Sequence, residues 1–391
     1  MADFSFLDND FKLLKNEGLS HKKNPLETEQ GAKIRMGGRE VIQLSSNNYL
    51  GLTAHPHVKK AAIDGVKKYG AGTGSVRTIA GTFTIHEELE QKLAAFKKTE
   101  SAIVFQSGFT ANQAILSSVL TEKDVILTDE LNHASIIDGI RLSKAERKIY
   151  HHVDMNSLET ALKQSMKYRN RLIVTDGVFS MDGNIAPLPE IVTLAEKYDA
   201  LVMVDDAHAS GVLGENGRGT VNHYGLDGKV HIQIGTLSKA IGVLGGYAAG
   251  SRSLIDYLAC HGRPYLFSTS HPPAVTMACS AAIDVLLSEP ERIEKLRRNA
   301  RYFKNGLQSA GFDTGKSETP ITPVMTGKEQ LAFELSNKLL EYGVLAKGIA
   351  YPTVAKGEAR VRTIVTADHS EKDLNDALAA FSKAGKELQI I

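Results

Sequence analysis

Short apolar runs alternate with helix-like stretches through the middle of this chain, and the alternation limits the folds open to it. Each run is aliphatic or β-branched and too short for a helix, which is typical of a strand. The runs occupy residues 102–105, 125–128, 172–175, 201–204 and 231–234. The helix-like stretches occupy residues 57–69, 86–96, 108–120, 136–145, 157–166 and 188–198. This order favours βα units around a mostly parallel, buried sheet.

The pattern divides the chain into three predicted segments. Residues 1–55 form a polar N-terminal arm, in which a short helix is expected to end at Gly18. Residues 56–275 form one large α/β domain, and residues 276–391 form a smaller C-terminal α+β domain. Helical patterns towards the C-terminus cover residues 274–287, 290–308, 330–342 and 373–386, and strand-like patterns cover residues 321–326 and 361–365.

Charge and composition exclude several classes of protein. The chain has 46 Lys and Arg against 45 Asp and Glu, and this balance argues against binding to nucleic acid or to an anionic membrane surface. Its two cysteines, Cys260 and Cys279, form no CxxC pair, so neither a disulfide framework nor a metal site is expected. We expect a cytoplasmic protein, because the sequence shows neither a signal peptide nor an apolar stretch of about 20 residues that could span a membrane.

Chemically useful residues directly follow four of the apolar runs. They are Asp176 and Ser180, then Asp205, Asp206 and His208, then Thr236, Ser238 and Lys239, and finally Ser107, Gly108 and Phe109. Each has an ordinary explanation on its own, because aspartates often cap helices and lysines often lie on the surface. Ligands of open α/β sheets bind beyond the carboxyl ends of the strands, however, and all these residues would meet at that edge. Together they favour a functional site.

The residue types at this edge suit one cofactor. A lysine in a dry pocket can form a Schiff base with an aldehyde, and a carboxylate on a neighbouring strand can keep a pyridine nitrogen protonated. A hydroxyl and the free N–H groups at the start of a helix can hold a phosphate. These are the parts that a protein supplies to pyridoxal 5′-phosphate (PLP).

Six motifs, in their order along the chain, carry a family resemblance. They lie at residues 46–51, 132–135, 175–183, 204–208, 236–239 and 360–362. Together they resemble the α-oxoamine synthases, which are fold-type I PLP enzymes that join a small amino acid to an acyl-CoA. The resemblance covers nearly the whole chain. It implies a large α/β domain with a smaller C-terminal domain, and a homodimer with shared active sites.

The resemblance also implies roles for individual residues. Lys239 is similar to the family's cofactor-binding lysine and proton shuttle, Asp205 to the carboxylate on the pyridine nitrogen, and His133 to the imidazole that stacks on the ring. The other implied cofactor contacts are Gly108, Phe109, Ser180, His208, Thr236 and, on the partner subunit's cofactor, Thr269 and Ser270. Arg362, with Asn47 nearby, matches the clamp on the substrate carboxylate, which suits a planar guanidinium.

Two reactions of the family are open to this chain. Residues 131–141 and 263–268 most resemble the members that condense glycine with acetyl-CoA, so we expect a glycine C-acetyltransferase that forms 2-amino-3-oxobutyrate and acts in threonine degradation. The alternative is the decarboxylating condensation of L-alanine with pimeloyl-CoA or pimeloyl-carrier protein to 8-amino-7-oxononanoate, in biotin synthesis. Thr353 resembles a substrate-contacting threonine of that second group, and one protein could carry out both reactions. An aminotransferase, an aldolase or a non-catalytic homologue are further alternatives.

Overall fold

The computed structural model describes residues 3–16 and 24–391. Its strands are β1 (Lys33–Met36), β2 (Arg39–Gln43), β3 (Ser101–Phe105), β4 (Val125–Asp129), β5 (Glu146–Tyr150), β6 (Arg171–Asp176), β7 (Leu201–Asp205), β8 (Ile232–Thr236), β9 (Gly246–Gly250), β10 (Ile321–Gly327), β11 (Val344–Leu345), β12 (Lys347–Ile349) and β13 (Ala359–Ile364). Its helices are α1 (Ser5–Asn16), α2 (Pro56–Tyr69), α3 (Thr84–Lys97), α4 (Gly108–Ser118), α5 (Ala134–Leu142), α6 (Met155–Lys163), α7 (Leu188–Lys197), α8 (Thr220–His223), α9 (Arg252–His261), α10 (Arg263–Leu266), α11 (Pro273–Ser288), α12 (Glu291–Ser309), α13 (Glu329–Glu341) and α14 (Glu371–Glu387). The predicted helix end at Gly18 lies outside the described residues. None of the helices in the described ranges is long and apolar enough to cross a membrane.

The large sheet confirms the predicted fold class. Within the described residues it has seven strands in the order β3-β9-β8-β7-β6-β4-β5. The neighbours from β8 to β5 all pair in parallel, whereas β9 runs antiparallel to both β8 and β3. The result is a mixed sheet of mostly parallel strands, and all five predicted apolar runs lie in it.

Both faces of this sheet are covered, which is why its strands are apolar along their whole length. Successive side chains of a strand point to opposite faces. On β6, Leu172 and Val174 pack in a cluster with residues of α4 and α5, whereas Ile173 packs in a second cluster with residues of α6 and α7. The two layers of helices fix the sheet, so its polar carboxyl edge is rigid.

Two three-stranded sheets lie outside the central one. The smaller C-terminal domain contains the antiparallel sheet β10-β13-β12. In the other sheet, β2 pairs with β1 and also pairs in parallel with β11, so the N-terminal segment and the C-terminal part of the chain share a sheet. The predicted boundaries at residues 55 and 275 stay predictions.

The sequence pattern did not predict two strands of the central sheet. Strand β5 lies at the edge, pairs with β4 alone, and carries Glu146, Arg147 and Lys148, so it shows no apolar run. Strand β9 consists of small residues around Tyr247. A Cβ on Gly235 would lie 2.4 Å from the Tyr247 ring, so the two strands approach too closely there for a larger residue.

Candidate active site

The carboxyl ends of the central strands open into a cavity of about 220 Å³. It is lined by Ser107, Gly108, Phe109, His133, Ser135, Asp176, Val178, Ser180, Asp205, Ala207, His208, Thr236, Ser238 and Lys239. The residues that the sequence pattern placed at this edge therefore surround one space, with the exception of Asp206. Parallel strands make this possible because their carboxyl ends meet at one edge of the sheet.

Lys239 projects from the loop that follows β8. A hydrogen bond of 2.8 Å from the N–H of Leu237 to the Gly245 carbonyl closes this loop. Burial lowers the pKa of the Lys239 amine to about 8, although the carboxyl groups of Asp205 and Asp176 act in the opposite direction. About a tenth of the amine is therefore neutral and nucleophilic at pH 7, far more than for an ordinary lysine with a pKa near 10.4.

Two buried aspartates end the strands β6 and β7 at directly paired positions. Both oxygens of Asp205 accept hydrogen bonds: Oδ1 from the Ala207 N–H at 2.9 Å, and Oδ2 from Asn112 Nδ2 at 2.6 Å. Asp176 Oδ2 accepts from the His133 N–H at 2.9 Å. Burial, and then the charge of Asp205, raise the pKa of Asp176 well above its usual range, which favours the protonated form of Asp176.

His133 stands at the start of α5, where Nδ1 accepts from the Ser135 N–H at 3.2 Å. Burial lowers the pKa of its imidazole and the charge of Asp205 opposes this shift. The imidazole is therefore favoured in its neutral form, which presents both a flat aromatic face and a ring N–H.

His208 follows β7 and is held by a residue from the N-terminal part of the chain. The Tyr49 hydroxyl lies 2.7 Å from its Nδ1. Burial and the positive charge of Lys239 lower the pKa of His208 well below its usual range, whereas burial raises that of Tyr49. A protonated phenol and a neutral imidazole therefore share this hydrogen bond, in which either group can be the donor.

The N-terminus of α4 forms another wall of the cavity. Ser107 caps the helix by accepting from the Thr110 N–H at 3.1 Å, which leaves the N–H groups of Gly108 and Phe109 without a helical partner. A Cβ on Gly108 would lie 3.3 Å from the Thr236 side chain, so the backbone and Thr236 are close together. Backbone donors and a hydroxyl at a helix start suit a phosphate.

Arg362 on β13 brings a positive charge towards the cavity from the smaller domain. Its Nη2 contacts Asn47 Oδ1 at 3.3 Å, and its Nε is buried without a hydrogen-bond partner among the described residues. Burial lowers the pKa of Arg362, and its charge helps to lower the pKa of both Lys239 and His208. A buried guanidinium with free donors is prepared for an anion.

Five predicted site residues do not line this cavity: Asn47 and Arg362, described above, and Thr353, Thr269 and Ser270. Thr353 is exposed in a turn, where its N–H donates to the Ala350 carbonyl. Thr269 is exposed beside Val76, with which it forms an isolated bridge. Ser270 is buried and donates to the Ser75 carbonyl at 3.1 Å. The expected role of Thr269 and Ser270 was in the partner subunit's site, so their position outside this cavity is compatible with it.

Sequence reasoning missed three residues that hold the site together. Tyr49 lies within the motif at residues 46–51, so that motif could have suggested it. Asn112 and Ser135 are almost fully buried and link Asp205 to His133. Ser135 lies within the motif at residues 132–135, which could likewise have suggested it, whereas a single asparagine inside a helix, such as Asn112, gives no signal in one sequence.

Comparisons with known proteins agree with this fold. The family model for aminotransferase class I and II matches residues 39–381. The 8-amino-7-oxononanoate synthase 1 of Bacillus velezensis is 64% identical over 391 residues, which cover 100% of both chains. A serine palmitoyltransferase from S. paucimobilis with a bound PLP-myriocin aldimine has a TM-score of 0.94 and 32% identity, and the match covers 99% of this chain and 98% of that one. An 8-amino-7-oxononanoate synthase from Francisella tularensis has a TM-score of 0.77 and 29% identity, covering 90% of this chain and 99% of that one.

These matches and the cavity define a class of protein. The chain belongs to the aminotransferase class I and II family and is a fold-type I PLP enzyme. Within that family it is an α-oxoamine synthase, an enzyme of the acyltransferase type. The residues present suit the cofactor, since one cavity offers an amine, buried carboxyl groups and a capped helix start with free donors.

The expected glycine C-acetyltransferase reaction is wrong. Curated relatives that match essentially the whole chain at 54–64% identity are named 8-amino-7-oxononanoate synthases. The stretches that suggested glycine and acetyl-CoA lie around the cofactor end of the site: residues 131–141 contain His133 and α5, and residues 263–268 contain α10, which packs against α4. A place in threonine degradation is withdrawn with the reaction.

Proposed function

We propose that this enzyme condenses L-alanine with a pimeloyl thioester to give 8-amino-7-oxononanoate, the free thiol and carbon dioxide, a reaction of biotin synthesis. The observation that carries the proposal is the full-length identity of 64% to a curated 8-amino-7-oxononanoate synthase. The cavity adds the chemical groups that such a condensation needs. A cytoplasmic location belongs to the proposal and fits Cys260 and Cys279, which are both free thiols.

The cavity residues divide into those that would hold each part of PLP. Lys239 would bind the aldehyde carbon, Asp205 the pyridine nitrogen, and His133 the face of the ring. The proposed contacts at the ring hydroxyl and at the phosphate are His208, Ser180, Gly108, Phe109 and Thr236. When bound, PLP supplies an electron sink for a carbanion at the amino-acid α-carbon.

The chain's own side chains orient the substrates and move the proton. Arg362 would hold the L-alanine carboxylate through two parallel N–H donors, with Asn47 fixing the guanidinium plane. The neutral amine of Lys239 would remove the α-proton and later return a proton to the product carbon, because its lowered pKa suits both transfers near neutral pH. His133 would donate to the oxygen of the thioester carbonyl as negative charge develops there. Thr353 stays a proposed substrate contact on the smaller domain.

We also propose that two copies of the chain form a dimer with shared sites. Large apolar side chains are exposed near Thr269 and Ser270: Ile79 is 82% exposed and Phe267 71%. Apolar residues exposed together on one surface favour a protein interface. Co-expression of a Lys239→Ala chain with a chain that carries Thr269→Ala and Ser270→Ala tests this. Mixed dimers would contain one intact site and regain activity, whereas sites built from one chain alone would stay inactive.

The reaction is tested by pairing substrates. Purified enzyme with PLP is mixed with L-alanine and pimeloyl-CoA, with L-alanine and pimeloyl-carrier protein, and with glycine and acetyl-CoA, while free thiol, carbon dioxide and product mass are followed. We expect kcat/KM to be at least about tenfold higher for L-alanine with a pimeloyl thioester than for the short pair. Thiol release without carbon dioxide, or with the short pair alone, would overturn the proposal.

A further inference from the structure

A chain of buried hydrogen bonds joins two polar groups that line the cavity, Asp205 and His133. Asn112 Nδ2 lies 2.6 Å from Asp205 Oδ2 and 3.0 Å from Ser135 Oγ. Ser135 Oγ in turn lies 2.7 Å from His133 Nδ1. Asn112 and Ser135 are 0% and 1% exposed, so water does not compete for these bonds.

The direction of every bond in this chain follows from its chemistry. A carboxylate accepts hydrogen bonds, so the Asn112 group towards Asp205 is the amide NH₂, and its second hydrogen goes to Ser135 Oγ. The Ser135 backbone N–H points at His133 Nδ1 from 3.2 Å, which makes Nδ1 an acceptor. The Ser135 hydroxyl therefore also donates to Nδ1, and the proton of the neutral imidazole is on Nε2.

We propose that Asn112 and Ser135 are positioning residues that couple the orientation of the Asp205 carboxylate to the tautomer of His133. This rests on the proposed function insofar as Asp205 and His133 hold the cofactor. These hydrogen bonds keep the Asp205 carboxylate from rotating and leave His133 Nε2–H as the only donor of the imidazole ring. The Asp205 carboxylate and the His133 imidazole are thereby oriented before a ligand enters the cavity. This lowers the free-energy cost of ordering them on binding.

A packing role alone does not explain an asparagine at position 112. Its Oδ1 is buried without a hydrogen-bond partner in the described part of the chain, and an unpaired buried carbonyl oxygen is unfavourable. An apolar side chain of similar size would fill the space without that penalty. The amide is therefore explained by its NH₂ group, which makes two bonds at once.

Other charged groups also act on His133, and the test must separate them from this chain. Asp205 favours the protonated imidazole and Lys239 opposes it, while burial gives the largest contribution and lowers the pKa. Asp176 accepts from the His133 backbone N–H, and the imidazole of His208 is a further neighbour. A comparison of single and double variants holds these groups constant.

The experiment observes the His133 ring nitrogens by NMR in the PLP-bound enzyme labelled with ¹⁵N-histidine, with the signals assigned from a His133→Asn variant. We expect an unprotonated Nδ1 and a protonated Nε2 in the unmodified enzyme. Ser135→Ala raises the pKa of His133, because a donor to the neutral form is lost. Asn112→Ala raises it too, because the freed hydroxyl can then accept from a protonated Nδ1.

The double variant distinguishes hydrogen bonds that act in series, from Asn112 through Ser135 to His133, from two separate contacts. If the bonds act in series, Asn112→Ala changes the His133 pKa in the unmodified background but no longer in the Ser135→Ala background. We also expect Asn112→Ala to raise the Kd for PLP about tenfold, since a hydrogen bond to a charged group is lost. Asn299→Ala is the matched control: Asn299 is a buried asparagine of α12 whose Nδ2 donates to two carbonyl oxygens, so its loss should leave the His133 signals unchanged.

Two results would overturn the inference. One is a protonated Nδ1 in the unmodified enzyme, a measurement that needs no variant to fold. The other is an equal effect of Asn112→Ala on the His133 pKa in both backgrounds. Because these signals do not depend on the acyl substrate, an enzyme inactive with L-alanine and either pimeloyl thioester would refute the proposed function and leave this inference standing.

Discussion

Asp176 and Asp205 end neighbouring strands at directly paired positions, so two acids share one buried corner of the cavity with Lys239. Burial disfavours the charged form of Asp176, and the neighbouring charge of Asp205 disfavours it further. Together they raise the pKa of Asp176 well above its usual range. Asp205 has two hydrogen-bond donors on its oxygens, and this arrangement suits the member of the pair that bears the charge. Because their environments differ, the two acids are suited to different roles: Asp176 to that of a protonated acid and Asp205 to that of a carboxylate.

Asp176→Asn should change how stability depends on pH. An unfolded aspartate loses its proton near pH 3.9, whereas the folded Asp176 keeps its proton to higher pH. The natural chain therefore loses stability as the pH rises from about 3.9 to the raised pKa of the folded Asp176. The variant lacks this loss. Its free energy of unfolding relative to the natural chain should therefore rise between pH 4.5 and pH 8, measured by urea denaturation.

Asp256→Asn is the control for this comparison, because Asp256 is exposed on α9. Subtracting the change seen in this variant isolates the contribution of the buried carboxyl group. A difference for Asp176→Asn that varies with pH no more than the control would contradict the raised pKa of Asp176.

Arg362→Ala should raise the KM for L-alanine by about 100-fold or more, since a buried charge-assisted pair is lost. Arg362→Lys should recover only part of this, because an ammonium cannot match a carboxylate with two parallel bonds. Steady-state kinetics at saturating pimeloyl-CoA measure both variants, and Arg298→Ala, on an exposed part of α12, is the control. An unchanged KM would place the amino-acid carboxylate elsewhere.

Tyr49→Phe should weaken PLP binding roughly threefold to tenfold, because His208 Nδ1 loses its hydrogen-bond partner and the imidazole is no longer held in place. Fluorescence titration of the cofactor-free protein gives the Kd. Tyr150→Phe removes a hydroxyl that is buried without a hydrogen-bond partner among the described residues, so it should leave the Kd unchanged. Equal Kd values for both variants would show that the Tyr49–His208 bond does not support the site.

Lys97→Met should lower the free energy of unfolding by about 3–5 kcal/mol, because it leaves a buried charge unpaired. Lys97 Nζ lies 2.7 Å from Asp206 Oδ2, with both side chains inaccessible to solvent, and it also donates to the Arg218 carbonyl. Lys229→Met breaks an exposed pair with Glu196 and should cost less than about 1 kcal/mol in the same urea titration. Similar losses in both variants would argue against a special contribution from the buried pair.

Much of the fold could be predicted because it depends on local pattern. Strands buried on both faces are apolar throughout, so β4 and β6 were evident as runs of aliphatic residues. Edge strand β5 faces solvent and β9 needs small residues beside Tyr247, so neither shows such a run. The pairing of β2 with β11 joins residues about 300 positions apart, which one sequence cannot indicate.

The candidate site was predicted where a residue follows a strand, and missed where it acts through another side chain. Asp205 and Lys239 follow β7 and β8 closely, and parallel pairing brings strand ends together. Asn112 sits one turn into α4 and reaches Asp205 from a different layer, a contact that appears only after the helix has packed. Acyl selectivity was misjudged because the stretches compared lie beside the cofactor end of the cavity.

The assignment of Lys239 as the amine that binds PLP is tested most directly by trapping the bond. The holoenzyme is reduced with sodium borohydride, digested and mapped by mass spectrometry, alongside Lys239→Ala and, as a control, Lys316→Ala at an exposed position. We expect the phosphopyridoxyl group on Lys239 in the natural chain and in Lys316→Ala, and no label in Lys239→Ala. A label on another lysine, or none in the natural chain, would contradict the assignment.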